Sequence, residues 1–187
     1  MAVWALIGFM GCGKSSIGRT IAEMHGVTFL DLDEEIVRQK GRSIPEIFAA
    51  VGESGFRAIE RDTLEGLLTA GGPSHLPSDI LLSLGGGTLT DEGSRELVKK
   101  NCKCIYLRAS VETLAANLRE AGTEGRPMLA GVNLDAPAEA PDSLESHITA
   151  MMATRSPIYE KAADIILDID GLSYEQAARQ ILNSFSR

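Results

Sequence analysis

The chain has few of the residues that mark secreted, zinc-bound or membrane proteins. It has three cysteines, three histidines to which we assign no role, and no apolar run near the ~18 residues of a membrane span. An odd cysteine count fits a reducing compartment, and Cys102 and Cys104 lack the second ligand pair of a zinc site. No basic segment precedes the N-terminal apolar run, which therefore predicts a strand and not a signal peptide. We expect a cytoplasmic protein with no membrane partner.

Basic residues are scarce relative to acidic ones. The 187 residues include 18 Lys and Arg against 26 Asp and Glu, a formal net charge of −8. This negative charge argues against nucleic acid as a partner. An acidic protein that binds an anion must concentrate its basic side chains at the binding site. The hydrophobic content of 44% and charged content of 24% are ordinary for a globular protein. The length predicts one domain, residues 1–187, with a sizeable core.

The clearest motif is the glycine-rich stretch GFMGCGKS at residues 8–15, directly after the first apolar run. It matches G-x-x-x-x-G-K-[ST], a phosphate-binding loop whose backbone N–H groups surround phosphate oxygens at the positive end of a helix. The motif predicts that Lys14 contacts the β- and γ-phosphates and that Ser15 binds Mg²⁺. The predicted nucleotide contacts of the loop are Gly11, Cys12, Gly13, Lys14, Ser15 and Ser16. The alternative is a glycine-rich turn without a ligand.

Strand-like and helix-like segments alternate along the chain. Apolar runs predict buried strands at residues 2–7, 28–32, 79–84, 103–107 and 164–169. Helical spacing predicts helices at residues 14–25, 53–68, 91–99, 111–120, 144–161 and 174–185. Residues 70–78 predict a surface loop. The alternation predicts an α/β fold with a parallel sheet, helices on both faces and ligands beyond the carboxyl ends of the strands.

Two carboxylates, Asp31 and Asp33, stand at the end of the second predicted strand. Side chains at positions i and i+2 of a strand point to one side, so the pattern predicts that both carboxylates face the same cleft. There, one would position Mg²⁺ through water and the other would accept the hydroxyl proton of a phosphate acceptor. The alternative is that residues 33–35 only supply negative charge to the start of the next helix.

A long segment rich in Ala, Pro, Asp and Gly occupies residues 122–143 and contains the basic stretch RPML. A loop of this length inside a compact domain is usually functional, and in a phosphotransferase it predicts a mobile lid that closes over ATP. We place this lid at about residues 121–143. The alternative is an insertion without function.

Six motifs occur in a fixed order: GFMGCGKSS, DLD, FRAIE at residues 56–60, the triple glycine at 85–87, RPML and RSPIY at 155–159. Together they resemble the shikimate kinase family, small phosphate-loop kinases of aromatic amino-acid biosynthesis, over nearly the whole chain. The resemblance implies the phosphate-loop nucleotide-binding fold with a five-stranded parallel sheet in the order 2-3-1-4-5. It also implies ATP and shikimate as substrates, Mg²⁺ as cofactor and a monomeric protein.

The resemblance implies roles for residues on the acceptor side of the reaction. Arg57 and Arg155 would clamp the acceptor's carboxylate, because a guanidinium fork matches a carboxylate with two parallel hydrogen bonds. Gly86 would let the backbone approach the acceptor ring, and Asp33 would be the base. Glu60, three residues after Arg57 on a helix, would hold that arginine in its binding rotamer.

On the nucleotide side, the resemblance places Arg126 over the transferring phosphoryl group, where it and Lys14 would offset the developing charge. The predicted catalytic residues are therefore Asp33, Lys14 and Arg126. Arg119 falls where family members place an arginine against adenine, and a solvated surface role is the alternative. The chain departs from the family pattern at residues 132–143, which read as an insertion, and at residues 171–174, which offer no basic residue near the last helix.

Three other functions match part of this pattern. A gluconate kinase of the same fold would also bind a carboxylated polyol, but the ordered DLD, FRAIE and triple-glycine motifs favour shikimate. A non-enzymatic sensor of ATP and a metabolite would be expected to lose the base or the cations, and the chain has both. A guanine-nucleotide switch is disfavoured because the sequence has no N-K-x-D segment.

Overall fold

The structure, a computed structural model, describes residues 3–69, 79–122 and 125–185. The strands of this part of the chain are β1 (Val3–Ile7), β2 (Thr28–Asp31), β3 (Ile80–Ser83), β4 (Cys102–Arg108) and β5 (Ile165–Asp168). The α-helices are α1 (Lys14–His25), α2 (Leu32–Lys40), α3 (Ile44–Leu68), α4 (Glu92–Asn101), α5 (Val111–Ala121), α6 (Leu144–Ala162) and α7 (Tyr174–Phe185). Short 3₁₀ turns lie at Thr88–Thr90 and Pro127–Leu129. The predicted loop at residues 70–78 lies outside the described residues, as does residue 2 of the first predicted strand.

The five strands form one sheet in the order β2-β3-β1-β4-β5, and every neighbouring pair is parallel. The predicted fold class and strand order are therefore confirmed. In the central strand β1, the consecutive residues from Trp4 to Ile7 are all buried. Successive strand residues face opposite sides of a sheet, so both faces of β1 are covered. Because the strands are parallel, the phosphate loop, Asp31 and the triple glycine all emerge at the carboxyl edge of the sheet.

The junction between β2 and α2 differs from its prediction. β2 ends at Asp31, and Leu32 and Asp33 already belong to α2, a helix that the apolar periodicity did not indicate. The Asp31 side chain caps this helix by accepting hydrogen bonds from the backbone N–H groups of Asp33 and Glu34 at 3.0 and 3.3 Å. The prediction that Asp31 and Asp33 share one side of a strand is wrong, because Asp33 lies in the first turn of α2.

Helix α3 begins nine residues before its predicted start at residue 53. Ser43 and Glu46 form a capping box, in which the Ser43 hydroxyl accepts from the Glu46 backbone and the Glu46 carboxylate accepts from the Ser43 backbone. At Gly52 the backbone leaves helical geometry with φ of 70°, which kinks the helix between its two parts. The predicted helix at 53–68 corresponds to the second part, which carries Arg57 and Glu60.

The predicted lid folds against the body of the protein in the part that the structure describes. Leu129, at the end of the second 3₁₀ turn, is 2% exposed, and Ala136 is also buried. Asn133 pairs with Ser143 in an isolated bridge, and the Ser143 hydroxyl donates to the Ala138 carbonyl at 2.9 Å. Across the described ranges, no helix is both long and apolar enough to traverse a bilayer.

Candidate active site

Two adjoining cavities open at the carboxyl edge of the sheet. The loop cavity, of about 270 Å³, is lined by phosphate-loop residues together with Asp31, Asn117 and Tyr174. The arginine cavity, of about 130 Å³, is lined by Arg57 and Arg155 and by an apolar wall. That wall consists of Ile44, Phe48, Phe56 and Met128. The residues that line both cavities are Met10, Asp33, Gly85, Gly86 and Arg126. The predicted base and the predicted lid arginine thus lie where the cavities meet.

The phosphate loop has the backbone that its motif predicts. Gly11 and Gly13 adopt φ of 82° and 84°, in the left-handed region that favours glycine. Gly13 precedes α1, whose positive end faces the loop cavity and whose first turn contains no acidic residue of its own. The side-chain amide of Asn117 on α5 donates to the Gly11 carbonyl at 2.8 Å and so holds the loop in place. Asn117 was not predicted, since nothing in its local sequence connects it to a loop more than a hundred residues away.

Lys14 lies inside the curve of the loop. Its side chain is nearly buried, and Nζ donates to the carbonyls of Gly8 and Phe9, both at 3.0 Å. An ammonium group held there is close to the surrounding backbone N–H groups, where phosphate oxygens bind in loops of this kind. The observed position of Lys14 therefore agrees with its predicted role as a phosphate contact.

Ser15 and Asp31 supply two oxygen atoms beside the loop. The Ser15 hydroxyl donates to Asp31 Oδ2 at 2.6 Å. The described residues contain no group of three or more His, Cys, Asp or Glu side chains arranged as metal ligands. A hydroxyl and one carboxylate fit Mg²⁺, which in nucleotide sites takes most of its ligands from phosphate and water.

Asp33 lines both cavities, and its carboxyl group has a raised pKa. Asp33 is exposed as a residue, through the two open cavities that it lines, although protein atoms crowd its carboxyl group. Desolvation raises the pKa of Asp33 from 3.8 to about 6, and the negative charges of Asp31 and Glu60 act in the same direction. Lys14 and Arg57 lower it by a smaller amount. Such a carboxylate is ionised at neutral pH, yet it is a stronger base than an ordinary aspartate.

Arg57 is held by the carboxylate that the sequence predicted. Its NH1 atom donates to Glu60 Oε2 at 2.6 Å, and Glu60 is completely buried. A side chain at Gly87 would clash with the Arg57 guanidinium, so this glycine gives the arginine its space. Arg57 Nε is buried and has no hydrogen-bond partner among the described residues. A buried donor without a partner in a cavity wall favours binding of a ligand with acceptor atoms.

Arg155 is a buried cation that forms no ion pair with any acidic side chain of the described residues. The residue is 5% exposed, and its NH1 atom makes one long hydrogen bond, of 3.4 Å, to the Gly86 carbonyl. Its guanidinium carbon lies 5.6 Å from the centroid of the Phe9 ring. Within the described ranges no carboxylate lies within 4.0 Å of it. A buried charge is costly unless it is paired, so the site is suited to an anionic ligand.

Gly86 has a structural reason to lack a side chain in addition to the predicted one. A Cβ atom on Gly86 would lie 2.9 Å from the backbone nitrogen of Met10. The carbonyl of Gly86 also accepts a hydrogen bond from the Tyr159 hydroxyl, and Tyr159 is buried. The triple glycine therefore packs directly against the phosphate loop. Two of its residues, Gly85 and Gly86, line both cavities.

Comparison with known proteins identifies the family. The family profile described as shikimate kinase matches residues 10–186. The chain belongs to the shikimate kinase family. A shikimate kinase of Xanthomonas campestris pv. campestris is 38% identical over 177 residues, which cover 95% of this chain and 88% of the relative.

Solved structures of the shikimate kinase family have the same architecture. A shikimate kinase from Acinetobacter baumannii in complex with shikimate has a TM-score of 0.83 at 29% identity, covering 100% of this chain and 93% of that one. A shikimate kinase from Bacteroides thetaiotaomicron has a TM-score of 0.82 at 26% identity, covering 100% and 99%. The predicted family is confirmed together with its fold.

Arg119 does not have the surroundings that the resemblance to shikimate kinases implies. It is not among the residues that line the loop cavity. Its guanidinium makes a two-point ion pair with Glu145 of α6, at 2.6 and 2.9 Å, and Nε donates to the Leu134 carbonyl at 3.1 Å. The structure thus joins Arg119 to the insertion at residues 132–143. These contacts agree with the alternative prediction, a surface role for Arg119. The sequence did not indicate that its partner would be Glu145.

Replacing either partner of this ion pair is expected to loosen the insertion. Arg119→Ala and Glu145→Gln should each raise amide hydrogen exchange at residues 132–143 by about 5-fold, the effect of a partly exposed two-point pair. The double variant should be no worse than the single ones, because both remove the same interaction. If Arg119→Ala raises the KM for ATP while Glu145→Gln leaves it unchanged, Arg119 contacts the nucleotide instead. Glu112→Gln, at the start of α5, is the control for a change of charge.

Proposed function

We propose that the chain transfers the γ-phosphate of ATP to the 3-hydroxyl of shikimate, giving shikimate 3-phosphate and ADP. The main support for this proposal is that the loop cavity and the arginine cavity meet at Asp33 and Arg126. Membership of a family of ATP-dependent kinases supports the proposal. The nucleotide would occupy the loop cavity, and the acceptor would occupy the arginine cavity.

On the nucleotide side, the chain contributes positive charge and backbone donors. Lys14 and Arg126 would contact the transferring phosphoryl group, whose transition state needs positioning and charge stabilisation more than covalent chemistry. The remaining loop contacts would come from Gly11, Cys12, Gly13 and Ser16. Ser15 and Asp31 would hold Mg²⁺, and the bound ion would supply further positive charge against the phosphates.

On the acceptor side, Arg57 and Arg155 would bind the carboxylate of shikimate and orient the ring. The backbone at Gly86 would lie against the ring, and Glu60 would keep Arg57 in place. The 3-hydroxyl would then face Asp33 at the junction of the cavities. As its oxygen attacks the γ-phosphorus, the O–H bond breaks, and the proton passes to the Asp33 carboxylate while ADP departs with the electrons of the broken P–O bond.

The proposal includes the setting in which this reaction takes place. Residues 1–187 would act as one kinase domain, with a mobile lid at about residues 121–143 that brings Arg126 over the phosphates. The protein would work as a cytoplasmic monomer with ATP and shikimate as its partners. Sedimentation analysis of the purified protein tests the monomer, which requires the mass of a single chain, 20.0 kDa, at all concentrations.

A coupled assay of ADP release tests the function. With Mg²⁺ and ATP, we expect ADP production to depend on shikimate and to be absent with gluconate or with no acceptor. Turnover with gluconate would favour the polyol kinase alternative. ATP binding without ADP production from either acceptor would favour a sensor.

The pH profile should report the ionisation of Asp33. A base works only when it is ionised, so kcat/KM for shikimate should be constant well above the Asp33 pKa of about 6 and fall as the pH drops through it. Below the pKa we expect a decrease of about tenfold per pH unit. Initial rates from about pH 8 to about pH 5, with folding verified at each pH, measure this profile. A profile that stays flat through pH 6 would contradict the role of Asp33.

A further inference from the structure

Thr88 carries a buried hydroxyl group directly after the triple glycine. The residue is completely buried, and it lines neither cavity, so it has no path to a ligand of its own. Its Oγ1 donates to Glu60 Oε1 at 2.6 Å. The hydroxyl therefore acts on the acceptor side of the site only through Glu60.

Among the described residues, Glu60 has one hydrogen-bond donor on each carboxylate oxygen. Arg57 donates to Oε2 and Thr88 donates to Oε1, both at 2.6 Å. Because Glu60 is completely buried, losing either donor leaves a buried carboxylate oxygen without its partner. The Thr88 hydroxyl therefore fixes the orientation of the carboxylate plane, and that plane determines where Oε2 meets the Arg57 guanidinium.

The triple-glycine turn connects Thr88 to both members of this pair. The backbone N–H of Thr88 donates to the Gly85 carbonyl at 3.1 Å, which closes the turn. A Cβ atom on Gly85 would lie 2.7 Å from Glu60 Oε1, and one on Gly87 would clash with the Arg57 guanidinium. The turn thus leaves space for the Arg57–Glu60 pair at two points and supplies a hydrogen bond to it at a third.

We propose that Thr88 is a positioning residue for acceptor binding. Its hydroxyl orients Glu60, Glu60 orients Arg57, and Arg57 presents its remaining donors to the carboxylate in the arginine cavity. The inference rests on the proposed function, in which that carboxylate belongs to shikimate. It adds a residue outside the cavity to the determinants of acceptor affinity.

The Thr88→Val variant tests this role, because valine keeps the shape of threonine and removes its hydroxyl. We expect the KM for shikimate to rise about 10-fold, the effect of one hydrogen bond to a buried charge, while kcat and the KM for ATP stay within about twofold. Thr88→Ser, which restores the hydroxyl, should bring the KM for shikimate back to within about twofold of the wild type. In an Arg57→Ala background, Thr88→Val should raise this KM no further.

A purely structural role for Thr88 gives a different result. A lower melting temperature with an unchanged KM for shikimate in the valine variant would overturn the inference. An additive rise in KM in the Arg57→Ala background would overturn it as well. If the valine variant does not fold, Thr88→Ala is subject to the same criteria. Wild-type turnover of shikimate is measured first, since its absence contradicts the proposed function, whereas an unchanged KM in an active variant contradicts only the role of Thr88.

Discussion

Asp33→Asn is expected to lower kcat for shikimate phosphorylation by about 10²- to 10³-fold while leaving the KM for ATP within about twofold. Asparagine preserves the shape of the aspartate side chain, but its amide is far too weak a base to accept the hydroxyl proton. The lining of the two cavities places Asp33 between the phosphate loop and the arginines, and its pKa of about 6 suits a base that works near neutral pH. Steady-state kinetics with saturating ATP measures the loss. A near-normal kcat would remove Asp33 as the base.

The same variant should be more stable than the wild type, which separates lost chemistry from lost folding. The pKa of Asp33 is raised from 3.8 in the unfolded chain to about 6 in the folded one, so the folded state binds more protons between these values. The stability of the wild type therefore falls as the pH rises through this window, and the neutral asparagine removes the effect. Because solvent reaches Asp33 and screens its charge, we expect the asparagine variant to gain on the order of 1 kcal/mol in free energy of unfolding. This corresponds to an increase of about 2 to 4 °C in Tm at neutral pH.

Glu34→Gln is the matched control for Asp33→Asn. Glu34 is the next residue of α2, and its carboxylate is exposed and paired with Arg19. The substitution makes the same change of charge one residue away from the cavities. We expect kcat and both KM values to remain within about twofold of the wild type.

Local sequence signals were sufficient to locate the phosphate loop, because its motif lies within eight consecutive residues, although its contact with Asn117 could not be read from them. The junction after β2 was harder to predict. β2 ends one residue earlier than predicted, at Asp31, because the side chain of Asp31 caps α2. Asp33 therefore lies in the first turn of α2 and not on a strand face. Both carboxylates still line the loop cavity, so the structure brings them to one cleft through a helix turn and not through a shared strand face. The Ser43 and Glu46 capping box was a readable signal for the start of α3 and was missed.

Long-range partners were beyond the sequence pattern. Glu145 meets Arg119 across 26 positions, and the Leu134 carbonyl that completes this contact belongs to the insertion, for which the family resemblance offered no template. Thr88 meets Glu60 across 28 positions, through a turn whose glycines the sequence explained only by ligand approach. In both cases side chains from segments far apart in the sequence meet through tertiary packing. Neither periodicity nor a motif specifies which side chains then come together.

Arg57→Ala is expected to raise the KM for shikimate by about 30- to 1000-fold, since it removes one charged arm of the carboxylate clamp, worth on the order of 2 to 4 kcal/mol. The KM for ATP should stay within about twofold, because the loop cavity lacks Arg57. Arg61→Ala is the matched control. Arg61 lies one turn further along α3, and its exposed guanidinium pairs with Asp91 at 3.4 Å. An unchanged KM for shikimate in Arg57→Ala would contradict the clamp.

Arg57→Lys separates the clamp from the stability of its buried partner. Alanine leaves the Glu60 carboxylate buried without its cation, so part of its effect comes from misfolding of the site. Lysine keeps a positive charge beside Glu60 but has no planar fork with which to bind a carboxylate at two points. We therefore expect Arg57→Lys to keep the wild-type melting temperature within a few degrees and still raise the KM for shikimate by about 10-fold or more. Residual binding in both variants would come from Arg155, which has no acidic partner of its own in the described part of the chain. A wild-type KM in the lysine variant would mean that charge alone, and not the two-point geometry, selects the acceptor.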